Sequence, residues 1–263
     1  MRLQLGGGND IWSAIQISVE RARLGLKSES TRTRLGFAWW LIEPLILLVI
    51  YYTVFGHLLR IQVENFAVFL IIGVTFWTWF NKSVMNCTDA IYEKKHILEH
   101  CRVDPLIFPL TSIFKDLVKE SLVVALLLGL LLAIGFTPSW LWLYLPLIML
   151  VQLIITAGCG VFVAGLTPFL PDVRILISSG LQFLMFGSGV FYSKDNIPPQ
   201  FHLLLDLNPL ALLLSQYREV LMYGRAPVIG DIFALFCGAL ALFVLAVLFV
   251  AANRNSYAMA LSK

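Results

Sequence analysis

Apolar residues fall into six long runs along the chain, and polar or charged residues separate each run from the next. Each run is close to the roughly 20 residues that a helix needs to cross the hydrocarbon core of a bilayer. Helices and closed barrels satisfy all their backbone hydrogen bonds in that environment. The pattern predicts an all-α integral membrane protein with six transmembrane helices, at about residues 35–57, 65–82, 109–136, 140–169, 175–192 and 232–252.

The composition agrees with this class and excludes others. Of the 263 residues, 59% are hydrophobic and 13% are charged, whereas soluble domains carry about 25% charged residues. Residues 121–171 contain no Asp, Glu, Lys or Arg. The net charge of +3 is too small and too scattered for a nucleic-acid-binding surface, and the four cysteines lack a metal-binding spacing. Residues 6–8 are glycines, but no Walker A motif follows them, so the chain is not expected to hold ATP in that way.

Lysine and arginine residues are distributed unequally between the two predicted faces of the membrane. Of the 19 in the chain, 15 lie in the N-terminal tail, the 82–119 connection, the 169–175 turn and the C-terminal tail, and four lie on the opposite face. Cytoplasmic loops are enriched in these residues. Both termini are therefore predicted to be cytoplasmic.

Residues 10–27 are predicted to form an amphipathic helix that lies in the membrane interface. Apolar side chains recur at three- and four-residue intervals, and polar side chains fill the opposite face. The segment is too polar to span the membrane, whereas a tryptophan suits the headgroup level and a basic face suits anionic lipid. The residues assigned to this contact are Trp12, Arg21, Arg23 and Lys27. Packing on another protein domain is the alternative.

The connection between the second and third spans is the most charged part of the chain. Within it, residues 89–102 have helical spacing, with Lys95 and Glu99 four residues apart and Arg102 three residues further on. The Asp104-Pro105 pair ends this pattern. A short charged helix at the cytoplasmic face either docks a soluble partner or remains a solvated loop helix.

The outer segment between the fifth and sixth spans contains apolar runs that are too short to cross the membrane. Pro198 is placed near the start of one short helix, and Asn208-Pro209 supplies an N-cap and a first-turn proline for a second. Gly224 then marks the end of the second helix. The pattern predicts a pair of short re-entrant helices at 197–222, which either border a pore or gate or cap the bundle on its outer side.

The predicted spans offer little chemistry for catalysis. Glu43 is the one carboxylate assigned to a span, next to a helix-start proline, and no catalytic or metal-binding grouping is recognised. The chain is therefore not expected to be an enzyme. Aromatic side chains are frequent instead, and they either pack and anchor at the interface or offer sugar rings a surface of low specificity. The candidates for a channel lining are Tyr51, Tyr52, Phe55, Phe76, Trp77, Phe80, Phe183, Phe186, Phe191 and Tyr192.

Two sequence blocks carry a resemblance to a known family. The segment at 35–45, LGFAWWLIEPL, resembles the entry to the first span of ABC-2-type permeases that export polysaccharides. The block at 191–221, which contains Asn208-Pro209-Leu210 and Arg218, is similar to that family's signature before the last span. The resemblance covers essentially the whole chain, which is expected to be a single ABC-2-type transmembrane domain over residues 1–263.

The resemblance implies an exporter that is assembled from several subunits. Such permeases are homodimers that work with two copies of a separate ATPase subunit, which would hold ATP and Mg²⁺, while this chain would bind no cofactor. The segment at 89–102 would be the coupling helix seated in the ATPase, with contacts from Tyr92, Glu93, Lys94, Lys95, His96, Glu99 and Arg102. The pair at 197–222 would be gate helices at the periplasmic exit, with the characteristic residues Pro198, Asn208, Pro209, Tyr217 and Arg218.

The expected substrate is a lipid-linked polysaccharide, foremost O-antigen on undecaprenyl diphosphate, which enters from the membrane lipid and crosses the bacterial inner membrane. An ABC-2 permease for a drug or a lipid is the first alternative, and a membrane enzyme of lipid-linked sugar metabolism is the second. The chain departs from the family in one place. Many members have Arg-Asp after the fourth span, whereas this chain has Pro171-Asp172 with Arg174 close by, which leaves the role of that pair open.

Overall fold

The computed structural model describes residues 11–32, 38–61, 63–100, 103–254 and 256–257. These residues form α-helices, short 3₁₀ turns and a π-helix, and they contain no β-strand. The α-helices are α1 (Ile11–Arg32), α2 (Ala38–Tyr51), α3 (Phe66–Thr88), α4 (Lys95–His100), α5 (Ile107–Ile134), α6 (Leu145–Leu166), α7 (Val173–Gly187), α8 (His202–Leu207), α9 (Pro209–Leu221) and α10 (Ile229–Ala252). The predicted all-helical class is confirmed.

Five helical stretches among the described residues are long and apolar enough to cross a membrane. They are Ala38–Leu58, Phe66–Leu98, Ile107–Ile134, Trp140–Leu166 and Ile229–Ala252. The first consists of α2 and a π-helix over Tyr52–Leu58, and the fourth consists of α6 with a 3₁₀ turn over Trp140–Tyr144 before it. Five of the six predicted spans therefore coincide with helices of the required length.

The predicted count of six spans is not confirmed, because the segment at 175–192 forms a shorter helix. That helix, α7, has 15 residues, and at 1.5 Å per residue its length of about 22 Å is less than the roughly 30 Å hydrocarbon core. The chain leaves the helix at Gly187 and turns through Gly189, whose φ of +65° is readily adopted by glycine. The apolar residues that follow belong to this turn and not to the helix.

Helix α3 lies at the centre of the fold. It contacts α2, α5, α6, α7 and α9, and its side chains are buried almost all the way around; Leu70, Ile72, Val74 and Phe76 are completely inaccessible to solvent. It continues to Thr88, beyond the predicted end at residue 82. The charged side chain that marked that end, Lys82, forms an ion pair with Glu43 of α2, so it is tolerated inside the helix.

Helices α6 and α10 approach each other closely through glycines. A Cβ atom built on Gly158 would lie 3.0 Å from the backbone nitrogen of Phe243, and one built on Gly165 would lie 2.7 Å from a methyl carbon of Val250. Small residues allow this approach, and the resulting dispersion contacts hold membrane helices together. In addition, Gln152 of α6 donates a 2.7 Å hydrogen bond to the carbonyl oxygen of Phe76 in α3, which joins α6 to the core.

Candidate functional site

The segment at 89–102 is not the single helix that its spacing predicts. Because α3 runs to Thr88, the next residues form a turn that buries Ile91, and a 3₁₀ turn over Tyr92–Lys94 leads into the six-residue α4. Tyr92, Glu93 and His96 are exposed, and Lys94 and Lys95 are half-buried. The side chain of Glu99 and all of Arg102 lie outside the described residues. We call residues 92–100 the coupling segment, and its docking on an ATPase remains a prediction.

Arg174 ties the coupling segment to the first turn of α7. Its Nε atom lies 2.5 Å from Oδ1 of Asp89, the residue that ends α3. Its guanidinium carbon lies 4.3 Å from the centre of the Tyr92 ring, which is a favourable cation–π position. Asp172 is exposed. In this chain, the contact with the coupling segment is therefore made by Arg174.

Helix α1 packs on α5 with a face that differs from the predicted apolar stripe. Ala14, Ser18 and Ala22, which are four residues apart, are buried, whereas Val19 is 45% exposed. Ser18 donates a 3.1 Å hydrogen bond to the carbonyl oxygen of Ile107. The guanidinium carbon of Arg21 lies 5.2 Å from the centre of the Phe108 ring.

The helix is also longer than predicted and continues to Arg32. Of the other residues assigned to the membrane interface, Arg23 and Lys27 are exposed, and the side chain of Trp12 lies outside the described residues. The described contacts place one face of α1 on α5, and the contact of its basic residues with lipid stays a prediction.

A group of charged and polar side chains joins α1, α3 and α5. Its members, which we call the inner polar cluster, are Glu29, Asn86, Lys115, Asp116 and Lys119. The carboxylate of Glu29 lies 2.6 Å from the ammonium nitrogens of both Lys115 and Lys119. Asp116 accepts a 2.9 Å hydrogen bond from Asn86 and lies 3.6 Å from Lys119. Burial raises the pKa of the Glu29 carboxyl, but the two lysines outweigh burial, so the pKa is lowered from its ordinary value of 4.5.

Two buried carboxylates in α5 show that the sequence analysis was wrong about Glu43 as the one carboxylate within a span. Asp116 and Glu120 lie in a helix that is long enough to cross the membrane, and they are 7% and 6% exposed. The spacing 115, 116, 119, 120 places these residues and two lysines on adjoining helical positions. That spacing is the signal in the sequence that indicates a charged face at the start of this span.

Glu120 faces a narrow cleft between α2, α3 and α5. The cleft has a volume of about 50 Å³ and is also lined by Trp40, Trp79 and Lys82. Among the described residues, neither Oε1 of Glu120 nor Nε1 of Trp79 has a hydrogen-bond partner, and both atoms are buried. A cleft of this size holds a few water molecules and no sugar ring.

Replacing Glu29 with glutamine is expected to weaken the attachment of α1 in a pH-dependent way. Because the folded pKa is lowered, the ion pairs stabilise the protein above the ordinary carboxyl pKa, and this contribution is lost as the pH falls through the lowered value. Partly exposed pairs contribute about 1 kcal/mol, or about 2–4 °C in melting temperature. Melting curves in detergent should show this difference at pH 7 and little difference at pH 3.

The control for this experiment is Glu20→Gln, since Glu20 is an exposed carboxylate on the same helix. It should leave the melting temperature unchanged at both pH values. The prediction is wrong if Glu29→Gln lowers the melting temperature by the same amount at pH 7 and at pH 3. In that case the charge of Glu29 does not hold α1 in place.

The predicted pair of short outer helices is present. A 3₁₀ turn over Pro199–Phe201, with Pro198 before it, leads into α8, and α9 follows directly. Asn208 caps α9 as predicted, because its side-chain oxygen accepts a 3.0 Å hydrogen bond from the backbone nitrogen of Leu210, and Pro209 occupies the first helical position. Both helices are too short to cross the membrane.

Helix α9 holds the end of α7 through two side chains. Asn208 donates a 3.0 Å hydrogen bond to the carbonyl oxygen of Gly187. Arg218 donates hydrogen bonds of 2.9 and 3.0 Å to the carbonyl oxygens of Gly189 and Val190. We call Asn208 and Arg218, with these three carbonyl groups, the outer latch.

Arg218 is buried without an acidic partner among the described residues. It is 6% exposed, its guanidinium carbon lies 3.4 Å from the centre of the Phe69 ring, and it donates a further 3.4 Å hydrogen bond to the carbonyl oxygen of Phe69. The neighbouring Tyr217 ring stacks on Phe76 with 3.5 Å between ring centres. These contacts join α9 to α3 as well as to α7.

The ten aromatic candidates for a channel lining divide by burial. Phe76, Trp77, Phe80 and Phe191 are at most 3% exposed and pack inside the chain. Phe191 illustrates this packing, since its ring stacks on Phe55 at 4.2 Å and meets Tyr51 edge-on at 4.8 Å. The candidates that retain exposed or partly exposed rings are Tyr51, Tyr52, Phe55, Phe183, Phe186 and Tyr192. Their role as a channel lining stays a prediction.

Comparison with known protein families matches residues 23–222 to the family described as ABC-2 type transporter. The chain belongs to the ABC-2 type transporter family. The matched region contains the inner polar cluster, the coupling segment and the outer latch. The resemblance inferred from the two sequence blocks is thereby confirmed at the level of the family.

The chain is also similar to individual members of this family. It is 28% identical over 200 residues to the O-antigen export system permease protein RfbA of Klebsiella pneumoniae, covering 76% of this chain and 77% of that protein. It is 27% identical over 204 residues to RfbA of Myxococcus xanthus, covering 77% and 78%. It is 26% identical over 207 residues to the polysialic acid transport protein KpsM of Escherichia coli, covering 76% and 78%. The transporter is thus a multi-pass membrane protein whose relatives carry the names of transport proteins.

Proposed function

We propose that this ABC-2 transporter is the permease subunit of an ATP-driven exporter that moves polysaccharide across the bacterial inner membrane. The observation that carries the proposal is the shared similarity to relatives named for O-antigen export and for polysialic acid transport. O-antigen and polysialic acid are both long sugar polymers. A common permease architecture for both favours a polymer over a drug or a single lipid as the cargo.

The coupling segment supports a separate source of energy. Its exposed Tyr92 and Glu93 lie in the 3₁₀ turn after α3, and the exposed His96 lies in α4, so a soluble subunit can reach them. In the proposed complex, two copies of the chain associate with two ATPase subunits that hold ATP and Mg²⁺, and the chain itself performs no catalysis. The positive charge at this end of the bundle supports placing it, with both termini, in the cytoplasm.

The proposed cargo is O-antigen linked to undecaprenyl diphosphate, which enters from the membrane and leaves into the periplasm. The exposed rings of Tyr52, Phe183 and Phe186 support this, because aromatic faces contact the C–H faces of successive sugars without fixed hydrogen bonds. The short helices α8 and α9 are proposed to gate the outer exit. Their hydrogen bonds to α7 connect that exit to the rest of the bundle.

Deletion of the gene in its own host tests the proposed function. Surface polysaccharide should disappear while lipid-linked polymer accumulates inside the cell, because synthesis continues without export. Immunoblots of surface and whole-cell fractions measure both quantities. A deletion strain that displays a normal surface polymer, or that becomes sensitive to toxic compounds and nothing else, would contradict polysaccharide export.

Complementation of that strain tests the part played by the coupling segment. The unmodified chain should restore the surface polymer, whereas Glu93→Arg should not, although the variant remains in the membrane, since the change reverses a charge on the docking surface. Glu64→Arg is the matched control, because Glu64 is an exposed glutamate in the connection on the opposite face. Equal complementation by both variants would remove Glu93 from the docking surface.

A further inference from the structure

Helix α7 runs between the two regions that the proposed function assigns to energy input and to cargo exit. Its first turn, at Arg174, contacts Tyr92 of the coupling segment and Asp89 at the end of α3, and its last residue, Gly187, and the turn through Gly189 and Val190 are held by Asn208 and α9. The helix spans about 22 Å at 1.5 Å per residue. Helix α3 also reaches from the outer latch, at Phe69, to the residues before the coupling segment, but its side chains are buried almost all the way around, whereas those of α7 are not.

Polar and charged contacts hold both ends of α7. At the inner end, Arg174 combines an ion pair with Asp89 at 2.5 Å and a cation–π contact with Tyr92 at 4.3 Å. At the outer end, Arg218 and Asn208 donate to three carbonyl groups. The charged donor Arg218 makes stronger hydrogen bonds than a neutral donor would, which fixes the outer end to α9, and the ion pair and cation–π contact of Arg174 connect the inner end to its neighbours.

Between its ends, α7 is only loosely attached to the rest of the chain. Val173 and Leu181 are its buried side chains, whereas Ile175, Leu176 and Phe183 are 68%, 70% and 81% exposed. A helix that packs on the core over its whole length cannot shift without disturbing that core. Helix α7 is restrained on one face only, where Ile177, Leu184 and Met185 also pack on the core, so we expect a displacement at one end to be passed along the helix to the other.

We propose that α7 is a connecting rod that transmits movement of the coupling segment to the outer gate helices, and that Arg174 is the positioning residue that engages it. The proposal rests on the proposed function, since it requires an ATPase that moves the coupling segment. When that segment shifts, Asp89 and Tyr92 draw Arg174 and the first turn of α7 with them. The outer latch then passes the displacement to α9.

The experiment measures the outer gate while the ATPase is driven. The permease is reconstituted in liposomes with the ATPase subunit from the same host, and carries Leu204→Cys in α8, where Leu204 is 63% exposed. Cys101 and Cys237 are replaced by serine to remove background labelling. The rate of labelling by a membrane-impermeant maleimide is compared with and without ATP and Mg²⁺. ATP should change that rate, and Arg174→Ala should reduce the change at least about fivefold.

Three comparisons separate transmission from folding and docking. Asp172→Ala changes an exposed residue in the same region and should retain the full response to ATP. Arg174→Ala should still co-purify with the ATPase and support ATP hydrolysis, because the exposed face of the coupling segment is unchanged. The charge exchange Asp89→Arg with Arg174→Asp should restore at least half of the response, since it re-forms the ion pair in the opposite sense.

The possible outcomes distinguish the proposal that α7 transmits movement from the proposal that the protein is an ATP-driven exporter. A full response to ATP in Arg174→Ala, loss of the ATPase from that variant, or a charge exchange without recovery would each overturn the rod and leave the proposed function standing. An unmodified protein whose gate labelling does not respond to ATP would overturn the ATP-driven function and the rod together.

Discussion

Replacing Arg218 with methionine is expected to reduce polymer export at least about tenfold and to lower the melting temperature by several degrees. Arg218 donates to the carbonyl oxygens of Gly189, Val190 and Phe69 inside the fold. Methionine fills a similar volume but donates no hydrogen bond, so these buried acceptors lose their donor at about 1–3 kcal/mol each. The end of α7 is then no longer held by this part of α9.

Removal of a buried charge offsets part of that loss. A guanidinium without an acidic partner is costly to bury, and methionine eliminates this cost, so the effect on stability is smaller than the sum of the lost hydrogen bonds. The effect on export has no such compensation, because the hydrogen bonds themselves connect α9 to α7. We therefore expect a loss of export of at least about tenfold together with only a moderate decrease in melting temperature.

Arg225→Met is the matched control, because Arg225 follows α9 and is 73% exposed, with its nearest acidic oxygen 3.9 Å away on Glu219. It should retain both export and melting temperature. Arg218→Lys should give an intermediate result, since one ammonium group cannot reproduce the planar fork that contacts several carbonyls. If Arg218→Met exports normally in cells that contain equal amounts of the protein, the outer latch is not required for transport.

Replacing Gly73 with alanine is expected to disturb the outer latch from the opposite side. A Cβ atom at this position would lie 2.5 Å from Nη2 of Arg218 and 3.1 Å from the carbonyl oxygen of Val190. Both atoms are engaged in the latch and cannot move away without breaking its hydrogen bonds. Overpacking of this kind costs about 1–3 kcal/mol, and melting curves of the purified protein together with export assays should show both losses.

Gly129→Ala provides the control for this substitution. Gly129 also lies within a long apolar helix, α5, but a Cβ atom there would meet no other atom within 4 Å. Because alanine has the higher helix propensity, this variant should be at least as stable as the unmodified protein. An Arg218→Ala background should remove most of the penalty of Gly73→Ala, since the two residues act on one contact. If the losses of stability caused by Gly73→Ala and Arg218→Ala simply add in the double variant, Gly73 does not act through its contact with Arg218.

The sequence predicted the local features of the outer segment well. An N-cap and a first-turn proline act within a few residues, so Asn208 and Pro209 could be assigned to the start of α9 before the fold was known. The function of Arg218 could not be assigned in the same way. Two of its hydrogen-bond acceptors, in the turn after α7, are 28 and 29 residues away in the sequence, and the third, Phe69, is 149 residues away. Only the tertiary fold brings these groups together.

The end of the bundle that carries the coupling segment is harder to predict, because charged residues occur inside its long helices as well as in its loops. Lys82 was taken as the end of a span, yet its ion pair with Glu43 lets α3 continue. Asp116 and Glu120 lie within the predicted span at 109–136 but are not counted among its carboxylates in the prediction, and α5 buries both. In each case a long-range partner or a neighbouring helix changes what the local pattern indicates.

Helix α7 shows the converse error. Its apolar residues continue beyond the helix, so hydropathy predicted a span that ends at residue 192, but the glycines at 187 and 189 favour a turn and α9 stabilises it. Hydropathy reports where a residue can be buried and does not report whether the backbone there is helical.

The glycine contact between α6 and α10 has a consequence for how the protein is made. The two helices are separated in sequence by α7, α8 and α9, so α6 is synthesised and inserted well before α10 exists. During that interval the bare backbone at Gly158 and Gly165 has only lipid to contact. Assembly of this bundle therefore follows the order of translation only in part, because the pair of α6 and α10 can form only after the whole outer segment has been synthesised.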